Sequence, residues 1–278
     1  ADAEVEYKDH TSNTIYTSFK IKKTEKDFLK DAFIIIWTTT PWTIPANRAL
    51  AYNDKIKYSV IQLNKDVDHF KEQKIIIASE LIKKVSEECD FKEYKILKEF
   101  DGKDFKNSIC SHPLKNMGYE YDVPMLEGNF VTLEQGTGIV HAAPSHGPDD
   151  FNLCLKHGIK ATNTINDSGL YSEEIPFFSG IHIFKADNQV IEKLLEHKSL
   201  LGRGKLKHSF PHSWRSKAPL VYRATSQWFI SMEKKNLRKK ALKAIDDTIF
   251  YPERGRARIR SMIETRPDWC ISRQRIWG

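Results

Sequence analysis

The chain is poor in the residues that would staple it or anchor it. Only four cysteines occur in 278 residues, at Cys89, Cys110, Cys154 and Cys270, and no two of them form a Cys-x-x-Cys pair. That spacing excludes a thiolate zinc site of the usual kind and gives no disulfide framework, so a reducing, cytoplasmic setting is expected. Long apolar runs are also missing. The longest, Ala32 to Trp37, falls far short of the roughly 20 residues a membrane helix needs. The start, Ala1 to Glu6, has neither a basic region nor an apolar one and does not read as a signal peptide. It lacks Met, and the chain stops at Arg275-Ile276-Trp277-Gly278, so both ends read as cuts in a longer polypeptide. What remains is 40% hydrophobic and 29% charged, an ordinary globular balance. A chain of this length buries about 75% of its unfolded surface without help from cross-links.

Charge is unevenly spread. Of 44 Lys+Arg and 37 Asp+Glu, residues 1–202 hold 25 and 31, a net of −6, and residues 203–278 hold 19 and 6, a net of +13. The glycine pair in Leu201-Gly202-Arg203-Gly204 marks the expected boundary. An acidic body (1–202) is followed by a basic segment (203–278) carrying Phe210, Trp214, Tyr222, Trp228 and Phe229 between its cations. Cations interleaved with aromatics suit contact with RNA, although well-solvated lysine helices and core aromatics give the same pattern.

Strands are expected at Phe33–Trp37, Ile56–Val60, Lys74–Ala78, Tyr94–Lys98, Asn129–Leu133 and Gly138–Ala142. Ser79 is placed to cap a helix with Leu81, Val85 and Cys89 on its inner face. Pro148 to His157 reads as a helix stopped by Gly158, with Asp149 and Asp150 in its first turn. Asp187 is expected to cap another helix, with Val190, Ile191, Leu194 and Leu195 facing inward. Leu237, Ala241, Ala244 and Ile245 mark a basic amphipathic helix, and Ile259, Met262 and Ile263 a second. Strands outnumber helices in residues 1–202, which predicts a β-rich α+β body with helices outside.

Two stretches carry chemistry. In Thr38-Thr39-Thr40-Pro41-Trp42-Thr43, three hydroxyls follow a buried strand, and Pro41 and Pro45 stop its ladder. Uncharged hydroxyls suit the placing of a water or a ribose hydroxyl better than acid–base work, and Asn47 adds an amide. Threonines of this kind also simply close turns. The second stretch, Gly136 to Phe151, runs from a glycine turn through a short strand to His141, a small-residue loop, His146 and two acids opening a helix. Asp150 can anchor an ammonium while His141 shapes the pocket. Alternatively, Asp149 and Asp150 only favour the helix N-terminus. A metal held by His141, His146 and Asp149 is a third possibility, disfavoured because Pro144 and Gly147 break helical His-x4-His geometry. The Gly136-Thr137-Gly138 turn lacks the context of a nucleotide loop.

Trp37-Thr38-Thr39-Thr40-Pro41-Trp42-Thr43-Ile44-Pro45-Ala46-Asn47 and Gly136 to Phe151 together resemble the editing insertion of the isoleucyl-tRNA synthetase family. His208 to Arg215, Arg223 to Phe229 and Arg266 to Gly278 resemble the segments that lead back to its class I catalytic domain. Valyl and leucyl relatives usually carry Thr-Arg-Pro in the first motif. Ser213-Trp214-Arg215-Ser216 stands where some members have Cys-Trp-Arg-Cys, which removes any metal role there. The family's His-x-Gly-His and Lys-Met-Ser-Lys-Ser signatures are absent, so amino-acid activation is not expected. The resemblance implies a closed or nearly closed β-barrel-like editing domain over 1–202 and a mostly helical return segment over 203–278. It implies hydrolysis of mischarged valyl-tRNA(Ile), and of valyl-adenylate as a further substrate. A hydrophobic pocket separates isoleucine from valine only about 150-fold, a figure known for the isoleucyl enzymes themselves. By the same resemblance Asp150 holds the substrate ammonium and His141 sizes the pocket. Thr38, Thr39, Thr40 and Asn47 place water or the terminal adenosine, and Trp37, Trp42, Thr43 and His146 contact the substrate. No metal or cofactor is expected for editing, since ATP and Mg serve the catalytic core. The expected partners are the tRNA(Ile) acceptor end and the rest of the synthetase chain, with a monomer and no membrane. A non-catalytic RNA-binding module is the alternative in another class.

Overall fold

The computed structural model describes residues 4–63, 70, 72–91 and 93–272. It divides into two compact units, residues 1–224 and 225–278. The last six residues of the expected return motif, Arg273 to Gly278, lie outside the described residues.

The first unit is organised by β1 (Val5–Lys23), which lends both of its edges to neighbours. Strand β2 (Phe33–Thr38) pairs antiparallel with Ile15–Lys20 of β1. Then come β3 (Ala49–Tyr52), β4 (Lys57–Leu63), β5 (Lys74–Ala78), helix α1 (Ile82–Glu88), β6 (Tyr94–Asp101), β7 (Ile109–Ser111), β8 (Asp122–Glu127) and β9 (Val140–Ala142). Helices α2 (Pro148–Lys156) and α3 (Ile183–Glu196) precede β10 (Leu200–Ser213). The hydrogen-bonded order is β6-β4-β5-β2-β1-β7-β8-β3-β9, with β10 on β1. β2 pairs parallel with β5 and β3 parallel with β8, while the other ladders of this sheet are antiparallel. The core follows from β2: Ile34, Ile35 and Ile36 are all buried, as a strand covered on both faces requires.

Several expectations change. Among the described residues the pairing runs from β6 to β9 without returning on itself, so the sheet is not a closed barrel. The boundary expected at Leu201–Gly204 falls inside β10, which pairs with β1 from Val5↔Ser213 to Thr17↔Leu200. Charge changes sign there, but the backbone ladder does not break, and the compact units part at Ala224. Asn129–Leu133 is a turn, and the strand lies earlier, at β8, where Pro124 had masked it. Ser79 caps nothing; its hydroxyl meets that of Ser59 at 2.8 Å. That contact helps to bury Ser59 on β4, which alternation alone had predicted half-exposed. Asp187 lies inside α3, whose N-cap is His182.

The second unit contains β11 (Phe229–Ile230) paired with β12 (Trp269–Cys270), and helices α4 (Leu237–Asp246) and α5 (Arg254–Glu264). Both expected helices are present, but Ile259 and Met262 stand exposed on α5. None of the helices among the described residues is long and apolar enough to cross a membrane.

Two glycines with left-handed backbone separate conformational strain from close packing. Gly138 (φ 75°) and Gly158 (φ 73°) share a conformation. A Cβ at Gly138 would sit 2.4 Å from the Cβ of Ala78, whereas one at Gly158 would meet nothing within 4 Å. Gly158→Ala is therefore expected to lose about 1 kcal/mol, and Gly138→Ala about 1–3 kcal/mol more, because backbone must shift as well. Urea unfolding midpoints of the two variants check the difference.

Candidate active site

Pro41 and Pro45 end the β2 ladder and fold the next residues into a 3-10 turn, Pro41–Ala46. Thr38 closes it from the strand side, its Oγ1 accepting from the Thr40 N–H at 3.1 Å. The hydroxyls then form a chain. Thr38 and Thr40 Oγ1 lie 3.2 Å apart, and Thr40 and Thr43 Oγ1 3.4 Å apart. Thr43 Oγ1 donates to the Thr40 carbonyl at 2.8 Å and lies 2.9 Å from His141 Nε2. This last contact joins the two stretches that the sequence had singled out separately.

The tautomer of His141 follows from its neighbours. Asn47 Nδ2 donates to the Ala49 carbonyl at 2.9 Å, which fixes the amide, and faces His141 Nδ1 at 3.5 Å. Nδ1 is therefore the acceptor. Nε2 carries the proton and donates to Thr43, whose own proton goes to Thr40. The ring is buried, and that burial, with His146 nearby, pushes its pKa down to about 4. A neutral imidazole with both nitrogens committed is a structural link and a weak base. His146 is likewise held down at about 4, chiefly by burial. Its Nδ1–H donates to the Tyr222 carbonyl at 3.0 Å, and Nε2 accepts from Thr164 at 2.8 Å. The ring packs edge-on to Trp42, centroids 4.9 Å apart. With all four ring nitrogens engaged by protein groups, the metal reading of His141, His146 and Asp149 loses its donors. Among the described residues no cluster of three or more such ligands forms.

Asp150 lies in the first turn of α2. Its Oδ2 accepts from the Ala143 N–H at 2.9 Å, tying the helix to the residue that follows β9. The other carboxylate oxygen makes no hydrogen bond among the described residues. Burial pushes the pKa up to about 6, opposed by that N–H and reinforced by Asp149. Asp150 thus has an oxygen to offer and a reason to accept a cation.

Not every expected residue joins this group. The Thr39 hydroxyl makes no hydrogen bond among the described residues. Trp37 lines a different cavity, of about 260 Å³, with Tyr16, Lys84 and Arg203. Sequence reasoning also missed the groups that clamp the 3-10 turn. His112 Nε2 donates to the Ile44 carbonyl at 3.0 Å, and Tyr121 donates to that of Asn47 at 2.7 Å. Tyr171 donates to the Trp42 carbonyl, and Asp187 accepts from the Trp42 N–H at 3.1 Å. Burial raises Asp187 to about 6 against the pull of that N–H and of Asn13. None of the four carries a local motif; only long-range packing reveals them.

The raised pKa of Asp150 has a consequence for stability. Between its ordinary value near 3.8 and about 6, the folded chain binds the proton more tightly than the unfolded one. This contribution to stability is therefore present at low pH and is lost as pH rises through about 6. Asp150→Asn is expected to stabilise the fold by on the order of 1 kcal/mol at pH 7, after discounting for partial exposure, and by much less at pH 4. Thermal midpoints of both proteins at the two pH values test this.

The family described as tRNA synthetases class I (I, L, M and V) matches residues 1–278. Isoleucine–tRNA ligase of Pelagibacter ubique (strain HTCC1062) is 64% identical over 278 residues, all of this chain, which spans 31% of that relative's length. Among solved structures, GlLeuRS-CP1 superposes with a TM-score of 0.52 at 14% identity, covering 67% of this chain and 97% of its own. The editing domain of the P. falciparum cytosolic leucyl-tRNA synthetase gives a TM-score of 0.51 at 9% identity, covering 68% and 98%. At such identities the likeness is one of fold. With the family matched over its whole length, the chain belongs to the class I tRNA synthetases of the I, L, M and V group.

Proposed function

We infer that this chain is the editing portion of an isoleucine–tRNA ligase, hydrolysing valyl-tRNA(Ile) that the synthetic site has charged wrongly. The observation that carries this reading is the Thr43–His141 contact at 2.9 Å. It holds the hydroxyl-rich turn against the segment whose later carboxylate, Asp150, keeps one oxygen unpaired among the described residues. Asp150 binds the α-ammonium of the substrate. Thr38, Thr39 and Thr40 place the water or the terminal adenosine, supported by the buried amide of Asn47, whose Oδ1 has no hydrogen-bond partner among the described residues. His141 and Trp42 form a wall that admits valine and excludes isoleucine, with Thr43 and His146 fixing it.

Water attacks the ester carbonyl, the carbon–oxygen bond to the ribose breaks, and the proton passes to the ribose oxygen, leaving valine and tRNA. Asp150 is committed to the ammonium, and the two histidines at the site are poor general bases. His141 and His146, at about 4, sit well below the operating pH that base catalysis prefers. Catalysis therefore rests on positioning. Valyl-adenylate is a further substrate of the same site. The acceptor end of tRNA(Ile) and the remainder of the synthetase chain are the partners, a monomer works in the cytoplasm, and editing itself uses no metal or cofactor. A chain that bound RNA without hydrolysing the ester would be the non-catalytic module instead.

Asp150→Ala is expected to slow valyl-tRNA deacylation roughly 30- to 1000-fold, the loss of about 2–4 kcal/mol of charge-paired binding. In the wild type kcat/KM should fall as pH drops through about 6, because protonation removes the anchor. Asp150→Asn should abolish that limb of the profile. A deacylation time course at several pH values measures both, and an unchanged rate in Asp150→Ala contradicts the assignment.

A further inference from the structure

We propose that a second site, apart from the one above, binds a phosphate group in a cavity between β1, the segment after β7 and the C-terminal end of α3. The cavity measures about 200 Å³, below the roughly 300–1,000 Å³ of pockets that enclose whole small molecules. It suits one anionic group. Lys20, Lys115, Lys198 and the His197 imidazole line it, and no carboxylate does among the described residues. Lys115 and Lys198 have no ion-pair partner among the described residues. Lys20 has only exposed Asp31, at 3.9 Å. Ser18 is buried at the same cavity, and its hydroxyl makes no protein hydrogen bond among the described residues. This uncompensated positive charge occurs in the acidic part of the chain, where 25 Lys+Arg face 31 Asp+Glu over residues 1–202. The neighbouring cavity shares Ser111, His112 and Lys115 but is lined as well by Glu120 and by Lys22 bound to Asp122, so its charge is compensated where that of the proposed site is not.

The backbone supplies an independent observation. Helix α3 ends in a Schellman motif, with Ser199 N–H donating to the Leu194 carbonyl at 2.9 Å and Lys198 N–H to that of Leu195 at 3.0 Å. The left-handed residue of that motif is normally glycine, which adopts it without strain. Here it is Lys198, at φ 55°. Glycine would close the helix better; lysine closes it at a cost and sets an ammonium on the cavity.

Phosphate oxygens accept from three ammonium groups, an imidazole and a hydroxyl, and the group can come from an RNA backbone or from a free phosphate monoester. His112 lines this cavity and also clamps the Pro41–Ala46 turn, but none of the proposed phosphate-binding side chains belongs to the editing site, so binding can be tested whether or not deacylation occurs. The 278-residue chain is titrated with inorganic phosphate against chloride at equal ionic strength, followed by calorimetry and thermal midpoint. A nucleoside with and without a 5′-phosphate and a short RNA are then compared. Phosphate is expected to bind and to raise the midpoint where chloride does not. Lys115→Gln and Lys198→Gly should each weaken it about tenfold, the loss of one charged hydrogen bond. Without phosphate, Lys198→Gly should melt higher than the wild type, which shows that its lost binding is not lost folding. RNA binding that falls in both variants assigns the phosphate to a backbone, whereas binding restricted to inorganic phosphate and the 5′-phosphate assigns it to a free monoester. Equal effects of phosphate and chloride, or wild-type phosphate affinity in both variants, would overturn the site.

Discussion

The hydrogen bond between Thr43 and His141 joins groups 98 residues apart in the chain, and the geometry of the site depends on it. It forms because two turns converge. Prolines force the chain after β2 into a 3-10 turn that brings Thr43 inward, and β9 presents His141 opposite Leu50 of β3. Asn47, Thr40 and Thr38 extend the contact on either side into a line of donors and acceptors. In a buried setting each link strengthens its neighbours, and a missing partner is expensive. Thr43, Asn47 and His141 therefore constrain one another more tightly than a solvent-exposed cluster of the same composition would.

The buried acids show where the fold gives up stability. Asp150 and Asp187 are both driven to about 6 by burial. Asp187 recovers part of the cost by accepting from the Trp42 backbone, a structural task that positions the turn. Among the described residues Asp150 accepts only from Ala143 and leaves its other oxygen unused. A cationic substrate group would restore the ionised form, and this difference between two otherwise similar carboxylates separates the positioning residue from the proposed binding residue.

Much of this was legible in the residues, and the exceptions have physical causes. The apolar runs of β2 and β5, the Gly158 stop of α2 and the Val190, Ile191 and Leu194 face of α3 are local signals that tertiary packing only reinforced, whereas Leu195 of α3 and Leu237 of α4, expected to face inward, stand exposed. β1 was not anticipated, although Ile15, Thr17, Phe19 and Ile21 alternate with Tyr16, Ser18, Lys20 and Lys22. Its first half is too polar to read as a strand and is held by β10 rather than by its own composition. Pro124 hid β8 in the same way, and charge misplaced the unit boundary because a ladder of backbone hydrogen bonds is indifferent to side-chain sign. At the site, the threonines, His141 and Asp150 were visible as unusual residues at turns. His112, Tyr121, Tyr171 and Asp187 were not, since each reaches the turn from distant sequence and only the folded chain places it there.

The position of the substrate ammonium decides whether Asp150 is the anchor. The most direct measurement is a structure of the chain with a non-hydrolysable 3′-valylamino adenosine analogue. The account predicts the ammonium within about 3 Å of the free Asp150 oxygen, with the carbonyl facing the Thr38–Thr40 hydroxyls. An analogue bound with its ammonium away from Asp150, or seated in a cavity that Thr38, Thr43 and His141 do not border, would contradict it.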